Sequence, residues 1–232
     1  MAKPVCAIVG IGPGNGAALA RRFAADHRIA LLSRGSEVST QLAEEIGDAR
    51  AYACDASDAA SIESAFDQVA TDFGDVDTLV YNAGSGTWGT VEDITPAQFE
   101  ASWRVNALGL LAASQRVIPA MKAKGSGNII VIGATASRRG AARTTAFAPA
   151  KAAQRSLCEA MAKHVWPLGI HVSLIIIDGV VDLPRTRQAM SDKPDDFFVN
   201  PVDVAETAHW LAAQPRSAWS FEVEARPFGE RW

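Results

Sequence analysis

The sequence predicts a doubly wound α/β fold, a mostly parallel seven-stranded sheet with helices on both faces. Three observations predict it. Short apolar runs alternate with longer segments of helical period. Several of the runs are apolar on both pleat faces, as strands must be when helices cover each side of a sheet. The first run is followed at once by a glycine-rich turn that opens a helix. With 232 residues, 48% of them hydrophobic, the chain is long enough for one substantial core, and a single domain over 1–232 is expected.

Strands are expected at 5–9, 28–32, 49–54, 77–81, 128–132, 170–177 and 218–223. Thr95, Pro96 and Gln98 read as an N-cap, a proline at the first helical position and a glutamine three residues after the cap. They start an apolar-striped helix that runs to about Met121. Asn200-Pro201-Val202-Asp203 repeats the device before a helix reaching Leu211. Another helix is expected over 145–164. The segment 182–199 is polar, carries Pro184 and Pro194, and is long for a loop in a compact domain, which suits a lid over a substrate site.

The formal net charge of −4 argues against nucleic-acid binding, which needs clustered Lys and Arg. Cys6, Cys54 and Cys158 are odd in number and share no metal-ligand spacing, a pattern that fits unpaired thiols in a reducing cytoplasm and no metal centre. Cys6 and Cys54 fall in strand-like runs and read as small core hydrophobes. Met1 to Pro4 leads straight into the first strand without the look of a signal peptide, and the apolar run at 174–177 is far too short for a membrane span. A cytoplasmic protein with no membrane partner is expected. Of six tryptophans, Trp210, Trp219 and Trp232 lie near the end, where packing or a subunit contact is the plain expectation.

The turn after the first strand reads Gly10-Ile11-Gly12-Pro13-Gly14-Asn15-Gly16. Glycines let the backbone turn sharply and approach a pyrophosphate, while the new helix offers free N–H groups and its positive dipole end. Placed between a strand and a helix, the run predicts dinucleotide binding on a Rossmann-type fold, with a plain glycine turn as the alternative. The second strand ends Leu31-Leu32-Ser33-Arg34, with no carboxylate to grip the adenosine 2′-hydroxyl. Arg34 suits a 2′-phosphate instead, so NADP(H) is expected over NAD(H); an ordinary exposed arginine is the alternative.

The order of these segments resembles the short-chain dehydrogenase/reductase family over essentially the whole chain. Gly10, Gly14 and Gly16 match its three-glycine pattern. Tyr81-Asn82-Ala83-Gly84 looks like its Asn-Asn-Ala-Gly signature with the first Asn changed, Asn106 matches its helix asparagine, and Lys151 matches its lysine. The resemblance implies that Asp55 meets the adenine amino group. It further implies that Ser33, Ala56, Gly179 and Val181 lie along the cofactor, and that Asn106 and Lys151 serve the nicotinamide end.

At two catalytic positions, and again after the sixth strand, the chain departs from the family. Where the resemblance implies a proton-transferring tyrosine, four residues before the lysine, stands Phe147; where it implies a serine, thirteen residues earlier, stands Ala134. Phe147 has no proton to transfer, and general acid–base help is worth roughly 10²–10⁴-fold. Thr135 and Ser137 are nearby hydroxyls of ordinary acidity. Asp178 occupies the usual proline position after the sixth strand, near the nicotinamide side, as a substitute acid/base or as a loop aspartate bonding its own backbone. Arg138 and Arg139 read as an anion clamp or a solvated loop face. The segment 214–219, with Arg226-Pro227, resembles an atypical branch of the family that carries Phe at the tyrosine position.

Three functions follow. The first is an NADP(H)-dependent oxidoreductase acting on a small carbonyl, alcohol or enone through a non-standard proton donor. The second is a sensor that binds NADP(H) or a small ligand without turnover. The third is a structural partner of an active family member. The resemblance implies a homodimer or homotetramer through helices over 98–121 and 145–164, with Leu108, Leu111, Val117 and Met121 forming either the contact or core.

Overall fold

In the first strand, β1 (Val5–Val9), every residue is buried. Val5, Ala7 and Val9 pack into one hydrophobic cluster, and Cys6 and Ile8 into a second on the opposite face. This double burial recurs across the sheet and follows from the two-residue side-chain period of a strand covered on both sides. The computed structural model describes residues 3–229, so Trp232 lies outside the described residues.

Helix α1 (Asn15–Phe23) follows β1 and leads to β2 (Arg28–Ser33), α2 (Glu37–Ile46), β3 (Ala49–Ala53) and α3 (Ala59–Phe73). After β4 (Thr78–Tyr81) the chain forms α4 (Pro96–Trp103) and α5 (Gly109–Lys124), joined by one π-helical turn, Arg104–Leu108. Then come β5 (Gly127–Ala134), α6 (Phe147–Val165) and β6 (Ile170–Ile177). A short pair, β7 (Val180–Val181) and β8 (Phe198–Val199), brackets α7 (Pro184–Ala189). Helix α8 (Pro201–Ala212) and β9 (Glu222–Ala225) complete the described chain.

The main sheet has seven strands in the order β3-β2-β1-β4-β5-β6-β9, all pairs parallel. Helices α3, α5 and α6 pack on one face; α1, α2 and α8 pack on the other. Strand order reverses direction between β1 and β4, and in open α/β sheets such a switch point opens a crevice beyond the strands' carboxyl ends.

Local signals read from the sequence hold at several places. Thr95 and Gln98 close a reciprocal capping box, with Thr95 N–H donating to Gln98 Oε1 at 2.9 Å and Gln98 N–H to Thr95 Oγ1 at 3.3 Å. Asn200 caps α8 through Val202 N–H at 2.9 Å. All three cysteines are free and buried. Among the described residues, no helix is long and apolar enough to cross a membrane.

Three expectations need correction. The last strand lies at Glu222–Ala225, four residues beyond the expected start, because 216–218 turns as a 3-10 helix and Trp219 stacks on His171 at 4.8 Å. The helix expected as continuous to Met121 is interrupted by the π turn. The stripe read along it divides: Val117 and Met121 are core, whereas Leu111 is exposed. The segment 182–199 is no open loop. It holds α7 and β8, and Arg187 pins it through Asp182 and Asp195.

Gly109 fixes how closely α5 approaches the sheet. A Cβ there would collide with the Ala56 carbonyl oxygen and the Tyr81 hydroxyl. Gly109→Ala should therefore cost about 1–3 kcal/mol through overpacking, despite alanine's better helix propensity. Urea denaturation checks this; unchanged or raised stability refutes it.

Candidate active site

Two turns meet at the switch point and form the floor of a cleft. Gly10 has φ of +101°, outside the range that other residues adopt comfortably. A Cβ there would strike the Ala83 backbone. Asn82, at the end of β4, donates its Nδ2 hydrogen to the Gly10 carbonyl at 2.6 Å, and its backbone N–H to Val9 at 2.9 Å. A Cβ on Gly16 would sit 2.7 Å from the Gly10 oxygen, so α1 must begin close beneath the turn. At Gly12 a Cβ meets nothing within 4 Å, so packing does not demand that glycine, and the space beside it is open.

The cleft has a volume of about 680 Å³, within the usual range of ligand sites. Gly10, Gly12, Pro13, Gly14, Asn15 and Gly16 form its base. Ser33 and Arg34 line one end, Asp55 and Ala56 the adjoining wall, and Asn82, Ala83 and Gly84 the wall toward β4. Val181 lines it from β7, together with residues 183–186. Gly14, before α1, supplies no side-chain cap, which leaves the first-turn N–H groups without that partner. A phosphorylated nucleotide fits this cradle: it is open where a phosphate would approach and presents a helix N-terminus.

Ser33 is buried and donates its hydroxyl to the Gly35 carbonyl at 2.6 Å, stiffening the turn that leaves Arg34 exposed. Asp55 Oδ1 accepts the Ser57 N–H at 2.9 Å and its hydroxyl at 2.7 Å. These bonds, with the nearby Arg34 charge, hold its carboxyl below the usual range.

Beyond Gly84 lies a buried polar network. Lys151, one turn into α6, donates from Nζ to the Ile132 carbonyl at 2.9 Å and to Gln154 Oε1 at 3.0 Å. Gln154 Nε2 donates to the Asn106 carbonyl at 3.0 Å. Asn106 sits in the π turn and donates from Nδ2 to Ser85 at 2.7 Å and Ser102 at 2.8 Å. Asn106 Oδ1 is buried with no hydrogen-bond partner among the described residues. That atom and Lys151 Nζ both lie 3.6 Å from the position of a Cβ on Gly84, so they converge on one point beside the cleft. Burial pushes the Lys151 ammonium down to about 8.

The π turn has a cause in these contacts. A π bulge frees main-chain carbonyls from the regular ladder. Tyr81 donates its hydroxyl to the Val105 carbonyl at 2.5 Å, and Gln154 takes the next carbonyl, Asn106. Neither role was read from the sequence. The signal for Gln154 was an amide three residues after Lys151, on the helix face that packs inward.

Phe147 and Lys151 are four residues apart and share one face of α6. The Phe147 ring packs on the Gly86 backbone and lies 5.5 Å from the exposed Trp88 ring at a 39° tilt. Ala134, at the end of β5, donates its N–H to Ser137 Oγ at 3.2 Å. Thr135 donates its hydroxyl to Asp178. Both nearby hydroxyls are thus engaged inside the protein.

Three site expectations are corrected by placement. Asp178 is buried, paired with Arg226 and bonded to Thr135, and it does not line the cleft; neither a free acid nor a self-bonded loop aspartate describes it. Gly179 packs where a Cβ would meet Pro227 at 2.6 Å and Val199 at 2.8 Å, away from the cleft lining. Arg138 is bound to Glu222 at 2.7 Å and also to Glu224, so it offers no free guanidinium to a substrate. Its neighbour Arg139 reaches Asp178 only at 3.8 Å. Asn106 and Lys151 stand behind the cleft wall and meet it only at the point beside Gly84.

A parallel sheet with a glycine cradle at its switch point and a helix lysine behind the fourth-strand turn defines a Rossmann-type α/β protein with a cleft suited to a nucleotide. The chain belongs to the short chain dehydrogenase family, whose model matches residues 4–194. It is 32% identical over 189 residues to 17-beta-hydroxysteroid dehydrogenase type 1 of Homo sapiens, covering 75% of this chain and 56% of that longer protein. It is 28% identical over 222 residues to D-threitol dehydrogenase of Mycolicibacterium smegmatis, covering 90% and 85% of the two chains. A metagenomic short-chain oxidoreductase solved in complex with NADP superposes with a TM-score of 0.84 at 27% identity, over 99% of both chains.

Two outcomes test the buried network. Lys151 holds its proton to about pH 8 when folded and to about pH 10.4 when unfolded, so between those values the unfolded chain binds more protons. Stability contributed at this position therefore rises with pH through that window, by on the order of 3 kcal/mol relative to Lys151→Met. Urea denaturation of both proteins across the window checks it, and a flat difference refutes it. Gln154→Leu strips partners from the Asn106 carbonyl and the ammonium, with an expected loss of about 1–3 kcal/mol on thermal or urea unfolding.

Proposed function

We propose that the chain is an NADP(H)-dependent oxidoreductase that reduces or oxidises a small carbonyl, alcohol or enone without the phenol that the family resemblance implies at Phe147. The observation that carries this is the cleft itself, open beside Gly12 and lined at the β2 end by Arg34. In this reading the first-turn N–H groups of α1 hold the pyrophosphate, and Arg34 pairs with a 2′-phosphate that a carboxylate would repel. Asp55 takes the adenine amino group, and Asn82, Ala83 and Gly84 form the floor toward the nicotinamide. The NADP complex of a structural relative supports the cofactor class.

The bound dinucleotide supplies or takes a hydride. The chain must then handle one proton at the substrate oxygen. Phe147 has none to give, and Asp178 is held by Arg226. Lys151 Nζ and Asn106 Oδ1 converge on the point beside Gly84, where one water or hydroxyl satisfies both. An ammonium held at about 8 sits close to the working pH and suits proton transfer through that bridge. The Phe147 ring, one helical turn before Lys151 and 5.5 Å from the Trp88 ring, gives that side of α6 an apolar face.

A second reading is a sensor that binds NADP(H) without turnover. The placement of Thr135 and Ser137 favours it, since Thr135 donates its hydroxyl to Asp178 and Ser137 is buried against the Ala134 N–H. We also propose self-association through the outward side of α4 and α5, where Phe99, Trp103 and Leu111 are exposed.

Titration with NADPH and NADH, followed by a panel of aldehydes, ketones, quinones and enones, separates the readings. Tighter NADPH binding with oxidation by a panel member supports the enzyme; binding with no oxidation supports the sensor; failure to bind either dinucleotide ends both. The double change Ala134→Ser with Phe147→Tyr should raise ketone reduction by about 10²-fold or more. An unchanged rate there would show that the scaffold does not place a substrate carbonyl over α6.

A further inference from the structure

Most arginines of the chain are spent on internal partners: Arg21 on Glu45, Arg22 on Glu206, Arg155 on Glu222 and Arg187 on Asp182. Arg34 and Arg185 make no side-chain hydrogen bond or ion pair among the described residues, and both line the same cleft. They come to it from different parts of the fold. Arg34 stands at the end of β2. Arg185 is carried by α7, over the glycine turn, where a Cβ on Gly14 would collide with Leu183.

The segment that carries Arg185 is fixed by its neighbours. Thr186 donates its hydroxyl to the Val181 carbonyl at 2.6 Å and accepts the Leu183 N–H at 3.0 Å. Arg187 is held by Asp182 at 2.7 Å and lies 4.2 Å over the Phe198 ring. Between these anchored residues, Arg185 is left as the one unpaired cation of that segment. Beneath it the turn 10–16 contains no Lys or Arg, so whatever anion the cradle takes meets only partial positive charge from the protein floor.

We propose that Arg185 completes the phosphate site from above by pairing with the pyrophosphate of the dinucleotide. This rests on the cofactor reading given above. The chemistry is that of a guanidinium donating charge-assisted hydrogen bonds to phosphate oxygens. The division of labour follows from position. Arg185 reads the pyrophosphate, which every nicotinamide dinucleotide carries, and Arg34 reads the 2′-phosphate, which only NADP(H) carries. The segment 182–199 thereby binds cofactor, and its position and cofactor occupancy are linked.

The test is dinucleotide binding by the intact protein, wild type, Arg185→Ala and Arg34→Ala, with NADPH and NADH each titrated by fluorescence. Arg185 is exposed, and unchanged circular dichroism and melting temperature verify that its variant folds. Arg185→Ala should raise both dissociation constants by the same factor, about tenfold or more, leaving their ratio unchanged. Arg34→Ala should weaken NADPH alone. Unchanged affinities in Arg185→Ala overturn the proposal while the cofactor reading stands, and so does a loss confined to NADPH, which would make Arg185 a reader of the 2′-phosphate. Wild-type protein that binds neither dinucleotide overturns the cofactor reading and the proposal together.

Discussion

The close approach of two backbone turns governs the molecule. The Gly10 turn after β1 and the Asn82–Gly84 turn after β4 come near enough that a single added carbon would separate them, and Asn82 bonds them across the gap at 2.6 Å. Parallel strands end in register, so turns at neighbouring carboxyl ends must either diverge or touch. Here they touch at their bases and open above. The cleft, its cradle and the wall toward Gly84 all follow from that one contact.

Behind that wall, cost has been accepted in a buried place. A lysine, a glutamine and an asparagine lie together in the interior, and the helical ladder is broken by a π turn to serve them. Buried polar groups are tolerated when each finds a partner, and here nearly every one does. Among the polar atoms of these three side chains the exception, within the described residues, is Asn106 Oδ1, which faces the point beside Gly84 shared with Lys151. An unsatisfied buried acceptor beside a cleft is what a ligand or solvent group would repay. The tyrosine that replaces the first residue of the Asn-Asn-Ala-Gly signature belongs to the same device, since its hydroxyl props the carbonyl at Val105.

Much of this was legible in the residues. Short apolar runs located six strands closely, and proline and cap residues located α4 and α8, because these signals are local. The glycine turn was legible for the same reason. What escaped depended on contacts between distant segments. The last strand was misplaced because Trp219 belongs to an aromatic stack with Trp166 and His171, which no local pattern shows. Neither reading of Asp178, substitute acid/base or self-bonded loop aspartate, foresees its pairing, because its partner, Arg226, lies 48 residues further along the chain. Arg185 carries no local signal in the sequence, because its place at the cleft depends on Leu183 lying against Gly14.

Strand β9 closes one side of the sheet, and an outermost strand is where another polypeptide can add by main-chain pairing. Its four residues alternate carboxylates with Val223 and Ala225, and Glu222 and Glu224 are held by arginines from the adjoining turn and helix. A short border of fixed charge makes a poor template for an incoming chain. The ion pairs that took Arg138 away from substrate therefore also guard the sheet against growing into an aggregate.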